Sequence, residues 1–223
     1  NERNPTYKIG DVCFIGLGYV GFNTTKEIER HIQSVKTGAD ERIGVFHQLL
    51  DYPGVPESRA EVSRSFLKGL GLNYVLMGHY HIAYSEEKLF NPGSPEYWTF
   101  DQAEQVTVNL DTIEETVKPS KKRGFYIIET GKGEAEFVEV KPARPMFCIT
   151  YEASNFNEAT HLPRIKEHLE KYNIEGAMVK SIVQGRHKYG RINLSKSLSL
   201  DKPLIHQTAV MLTPTGSFSV RVD

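Results

Sequence analysis

Tyr74-Val75-Leu76-Met77-Gly78-His79-Tyr80-His81 sets the architecture and supplies the first candidate residues. Four apolar residues run up to a glycine, and a short apolar run bounded by a turn residue reads as a buried strand. Glycine lets the backbone turn sharply at the strand end. Two histidines follow at i and i+2, a spacing that sends both side chains to one side of an extended chain. A second apolar run, residues 43–47, ends in His47-Gln48. In an open α/β sheet ligands gather beyond the carboxyl ends of the strands, so His47 and His79 are expected to meet at one sheet edge. His47, His79 and His81 are therefore candidate metal ligands, with a spacing that suits two ions roughly 3.5–4 Å apart. Neutral imidazole accepts manganese, iron or zinc. An isolated His-x-His arises often by chance, so the argument rests on two strand ends rather than one.

Outward from that segment, residues 12–15 form a short buried strand and residues 24–36 a helix. Ile28, Ile32 and Val35 recur at helical spacing. Thr24 with Glu27 is expected to form a capping box. Pro53, Gly54 and Pro56 interrupt regular structure, and a short helix is expected over residues 62–70. After Gly78 the pattern changes to hairpins over residues 82–86, 88–91, 105–110, 124–130 and 135–141. Gly131-Lys132-Gly133 is the turn between the last two. Residues 142–145 read as a linker. A β-α-β pattern follows, with strands at 147–151 and 177–184 around a helix that presents Leu162, Ile165 and Leu169 on one face. Strands alternating with helices and then antiparallel strands predict the α/β class, as a sandwich with flanking helices followed by a small α+β domain. The expected division is 1–142 and 143–223.

The 223 residues carry 27 Lys and Arg against 28 Asp and Glu, a net charge of -1. The chain is no polycation, and any nucleic-acid surface is local. Cys13 and Cys148 form no metal or disulfide framework and read as buried thiols of an intracellular protein, cytoplasmic or nuclear according to the source. No apolar run approaches the roughly 18 residues that span a bilayer, so no membrane partner is expected. The polar opening without methionine fits a fragment that begins inside a longer chain.

Gly16-Leu17-Gly18-Tyr19-Val20-Gly21 matches the dinucleotide fingerprint between a strand and a helix. The fingerprint needs an acidic residue ending the second strand, to hold the ribose. That strand ends here in His47-Gln48, and Asp40 and Glu41 lie at its other end. A tight glycine turn explains the segment better than an NAD-dependent dehydrogenase does. Basic residues cluster at Lys118, Lys121, Lys122 and Arg123, and again over Lys180, Arg186, Lys188 and Arg191. Residues 184–191 read as a basic loop, and Lys180, Arg186, Lys188 and Arg191 are candidate phosphate contacts. A solvated hairpin tip accounts for the same composition. Trp98 reads as a core or interface residue, with a stacking platform for bases as the alternative.

Gly78-His79-Tyr80-His81 resembles the last motif of the calcineurin-like metallophosphoesterases, and His47-Gln48 the one before it. Asn91-Pro92-Gly93-Ser94-Pro95-Glu96-Tyr97-Trp98-Thr99-Phe100, Arg123-Gly124-Phe125-Tyr126-Ile127-Ile128 and Phe137-Val138-Glu139-Val140-Lys141 are similar to the Mre/SbcD nucleases of double-strand-break repair. The resemblance covers residues 8–145 best, and the remainder corresponds by position to that family's DNA-contacting cap. It implies the C-terminal half of a phosphoesterase β-sandwich plus cap, and an exo- and endonuclease using two manganese ions. His47 and His79 would serve one metal and His81 the other. It further implies DNA, an SMC-like coiled-coil ATPase of the SbcC type and a homodimer as partners. The family's Asp-x-His and Gly-Asn-His motifs occur nowhere in these residues, so no catalytic residue is assigned and the chain alone is expected to be inactive. A non-catalytic DNA- or partner-binding module is the alternative.

Overall fold

The computed structural model describes residues 6–35, 38–188 and 192–215. These divide into two units, Asn1–Pro95 with Lys122–Lys141 and Glu96–Lys121 with Pro142–Asp223. In the first unit β1 (Thr6–Ile9) turns at Gly10, which has φ 54°, into β2 (Val12–Leu17). α1 (Thr24–Ser34), β3 (Glu41–Phe46), α2 (Arg64–Gly69), β4 (Tyr74–Met77), β5 (Tyr84–Glu86) and β6 (Leu89–Asn91) follow. The chain then enters the second unit with β7 (Glu104–Asn109) and β8 (Glu115–Lys118). It returns to the first with the hairpin β9 (Gly124–Glu129) and β10 (Glu134–Glu139). β11 (Met146–Ala153), α3 (Glu158–Leu169), β12 (Met178–His187) and β13 (Ile205–Pro214) complete the second.

The first unit holds a six-stranded mixed sheet in the order β1-β2-β3-β4-β6-β5. Its four inner strands are parallel, and β1 and β5 are antiparallel edges. Parallel neighbours need long crossovers, and residues 18–40 and 47–73 supply them with a helix each. Ile15, Ile28, Leu50 and Leu67 are buried together on one side of this sheet. Ile43, Tyr74 and Phe90 form a second cluster joined by Tyr126 and Ile128 of the β9–β10 hairpin. The Thr24–Glu27 capping box does not form. The residue before the helix is Asn23, left-handed at φ 55° with no side-chain cap, and the Thr24 hydroxyl donates instead to the Val20 carbonyl at 3.0 Å.

The second unit is a five-stranded sheet in the order β13-β12-β11-β7-β8. Only β8 is antiparallel to its neighbour. β7 pairs with β11 through Val106↔Ile149 and Val108↔Tyr151, so this unit takes in residues 96–121 as well as those after Pro142. α3 closes the core with Ile165 and Leu169 against Ile149, Tyr151, Val179 and Val183. Residues 184–187, read from sequence as part of a basic loop, are the last four residues of β12. Both units are thus mixed sheets with few helices, an α/β architecture. Among the described residues, no helix is long and apolar enough to cross a membrane.

One polar network ties β8 to α3. Tyr151 Oη and His168 Nδ1 lie 3.1 Å apart, His168 Nε2 reaches Glu115 at 3.0 Å, and the Tyr172 hydroxyl donates to the same carboxylate at 2.9 Å. His168 is buried, so each of its ring nitrogens needs such a partner. Hydrogen bonding from His168, then Tyr172, holds the Glu115 carboxyl below the ordinary glutamate range. A depressed folded-state value means stability present above the unfolded pKa and lost as pH falls through the folded one. Glu115→Gln is expected to melt below the parent at neutral pH, and the gap should close on acidification below the ordinary carboxylate range. Melting curves of both chains across pH check this.

Candidate metal centre

The tips of three parallel strands build the site. Leu17 pairs with Phe46, and Phe46 with Met77. The pairing continues one residue further, since the His47 amide donates to Leu17 O at 3.1 Å and the Gly78 amide to Phe46 O at 2.8 Å. His47 and Gly78 are thereby held side by side. A Cβ on Gly78 would lie 2.7 Å from His47 Nδ1, so the absence of a side chain at residue 78 leaves the room that the His47 ring fills. The next residue presents its imidazole to the same place. The rings of His47 and His79 stand edge to face, with centroids 5.3 Å apart and an interplanar angle of 81°.

The way His79 reaches that position differs from the sequence expectation. Its φ is 80°, the left-handed region that L side chains rarely adopt, so the segment is not extended and the i, i+2 rule does not apply. Tyr80 stacks on Tyr52 with centroids 4.5 Å apart. His81 is half-buried, and its carbonyl accepts from the Ser94 amide at 3.2 Å. The structure brings His47 and His79 together. Among the described residues no group of three or more His, Cys, Asp or Glu side chains is arranged to hold a metal ion, so His81 does not complete a three-ligand cluster with them.

Two residues that sequence reading passed over orient the pair. The fully buried Gln48 carboxamide donates to Gly18 O at 2.6 Å and accepts from the Val20 amide at 3.4 Å. This clips the glycine turn to the tip of β3 and brings Tyr19 over His79, stacked at 5.2 Å and 18°. Hydrogen bonding to Glu61 raises the Tyr19 hydroxyl pKa, so the phenol stays neutral. Gly18 and Gly21 are neither left-handed nor crowded by a neighbour within 3.4 Å. No protein neighbour or backbone dihedral requires glycine at either position. The signal for Gln48 was its place directly after His47 at a strand end. A concavity of about 850 Å³ beside His47 is lined by Phe14, Val45, Leu76, Phe90 and other apolar groups. It is a poor seat for a phosphodiester, whose charge needs polar partners.

No protein-family model matches the chain. The DNA double-strand break repair protein Mre11 of Methanopyrus kandleri is 30% identical to it over 176 residues, 71% of this chain and 36% of that protein. Over that span the chain is similar to an Mre11-type nuclease. It spans about a third of the length of the curated relative it matches.

Among the basic residues read from sequence in this Mre11-like chain, Lys180 lies on β12 with its ammonium 5.9 Å from the centroid of the Phe100 ring. Arg186 and Lys188 are exposed, and Arg191 lies outside the described residues. In a regular strand Lys180 and Arg186 would share a face roughly 20 Å apart, each position rising about 3.3 Å. The left-handed Gly185 just before Arg186, at φ 134°, modifies that spacing. Arg123 is no phosphate contact. It is 2% exposed and donates to Ser94 O at 3.1 Å. Trp98 is 74% exposed and so is no core residue.

Two substitutions test the geometry of the centre. Gly78→Ala should displace the exposed His47 ring with little loss of melting temperature, because a side chain rather than backbone gives way. Histidine ring chemical shifts report the displacement. His79→Gly should be about 1 kcal/mol more stable than His79→Ala in denaturant titrations, because glycine alone relieves the left-handed backbone.

Proposed function

We propose that this chain is the later part of the catalytic domain of a metal-dependent DNA phosphodiesterase acting in double-strand-break repair. In this reading His47 and His79 donate to one metal ion and His81 to a second. The observation that carries it is the pair of imidazoles at the tips of adjacent parallel strands, 5.3 Å apart, in a chain similar to an Mre11 repair protein. The donor chemistry fits in part. Imidazole suits manganese, zinc or iron, but among the described residues no group of three or more His, Cys, Asp or Glu is placed to hold an ion. Two divalent cations held by neutral rings alone keep an uncompensated charge, so tight binding needs anionic oxygens from other residues. Metal ions bound there would activate water and neutralise charge on the scissile phosphate. The chain's own residues bind and orient: His47 and His79 hold position, Gln48 fixes the turn, and Tyr19 packs on the His79 ring.

Manganese is the proposed metal, and DNA the proposed substrate. Lys180, Arg186, Lys188 and Arg191 would contact the phosphate backbone without reading sequence. An SMC-like coiled-coil ATPase of the SbcC type, a homodimeric assembly and an intracellular location belong to the same proposal, as do the phosphoesterase sandwich and cap. A non-catalytic DNA-binding module is the second reading. The incomplete donor set among the described residues favours it for the chain taken alone.

Manganese titration followed by electron paramagnetic resonance separates the two readings. The chain alone should bind weakly, and His79→Ala should abolish that binding. Residues carrying an Asp-x-His strand, added in trans or in the same polypeptide, should tighten binding and bring nuclease activity that His79→Ala removes. Activity indifferent to both His47→Ala and His79→Ala rules out the metal-centre proposal. Duplex affinity measured against salt should show a log–log slope shallower by about 2 in the Arg186→Ala/Lys188→Ala chain, about 1 per lost phosphate contact.

A further inference from the structure

We infer that Asn91-Pro92-Gly93-Ser94 is a brace that sets the position of the histidine loop, with Asn91 as its principal positioning residue. The inference rests on the reading of His79 and His81 as metal ligands. Asn91 is fully buried at the end of β6, in the same sheet as the strands that carry His47 and His79. Both hydrogens of its carboxamide go to the loop, Nδ2 donating to Tyr80 O and to Ile82 O at 2.8 Å each. The carbonyl between them, His81 O, accepts from the Ser94 amide at 3.2 Å. Three successive carbonyls, centred on His81, are therefore held by one four-residue segment. Arg123 fixes the far end through Ser94 O at 3.1 Å.

Gly93 makes this approach possible. It has φ 77°, and a Cβ there would lie 2.8 Å from Ala83 N and 2.9 Å from His81 O. Both contacts are backbone, which cannot swing aside as a side chain can. Asn91 Oδ1 is buried with no hydrogen-bond partner. A buried carboxamide with an unsatisfied oxygen costs stability, and such groups call for another explanation. Here its donor end holds a loop whose backbone is already strained at His79. A residue kept for packing alone would be met better by an apolar side chain of similar size.

The test uses the full chain with ¹⁵N/¹³C-labelled histidine, first without metal. Asn91→Asp replaces the donor by a carboxylate that repels the two carbonyls. The expected result is loss of the nuclear Overhauser effect between the His47 and His79 rings, with faster exchange of the Ser94 amide. Leu169→Ala, a core substitution in the second unit, should lower the melting temperature and leave both signals in place. Gly93→Ala, which keeps every buried polar group, carries the same test should Asn91→Asp fail to fold. Persistence of the ring contact and of Ser94 protection in these variants overturns the brace. With manganese added, Asn91→Asp should weaken binding roughly 10–100-fold, the usual cost of disturbing a group that orients a ligand. If His79→Ala leaves manganese binding intact, the ligand reading fails while the metal-free ring contact still decides the brace.

Discussion

The Gly78 amide donates to the Phe46 carbonyl at 2.8 Å, one residue beyond the last paired position of β3 and β4, and the site depends on that bond. It extends the parallel ladder far enough for two strand ends to stop side by side. Parallel strands cannot be joined by a tight turn, so the two tips come from sequence positions about thirty residues apart. The intervening helix α2 and its apolar residues exist, in packing terms, to return the chain to the same edge. Ile15, Leu50 and Leu67, all nearly inaccessible to solvent, fix that return. Core packing and site geometry are the same constraint here.

Much of this was legible in sequence because it is local. The strand at residues 74–77 has four apolar residues and a glycine stop, and its bounds match the structure. The helices over residues 24–34 and 158–169 follow from their periodicity, and the convergence of His47 with His79 follows from the strand-end rule. What stayed hidden depends on partners far away in the chain. Nothing in residues 104–109 says that they pair in parallel with residues 147–152. Arg123 sits in a run of cations, and its burial becomes intelligible from a distant partner such as the Ser94 carbonyl. The left-handed backbone at His79 defeats the extended-chain argument, yet it delivers the ring to the expected place. That conclusion rested on strand topology, which survives a wrong local dihedral.

The Gly-x-Gly-x-x-Gly turn shows how a motif can be satisfied by different physics. Its glycines would be required if the backbone had to approach a phosphate closely or turn left-handed. Neither Gly18 nor Gly21 is left-handed, and no protein atom would crowd a Cβ at either. The polar groups of the turn are engaged by Gln48, a side chain from the strand that would have carried the ribose-binding acid. The turn also carries an aromatic ring, Tyr19, to His79.

The two imidazoles are restrained by unlike means, and this bears on what they can do. His47 is exposed and owes its room to the missing side chain of Gly78. His79 is half-buried, stacked under Tyr19, and its backbone is braced from Asn91 through the carbonyls that follow it. Ordering a side chain that is already confined costs little entropy, whereas ordering an exposed one costs more. A ligand shared between the rings therefore meets one prearranged donor and one that must settle. On the proposed metal-site reading, imidazole donors would supply direction rather than charge, so the affinity of a cation would be set by anionic oxygens brought to the same edge. The strand tips would then decide where those oxygens must come.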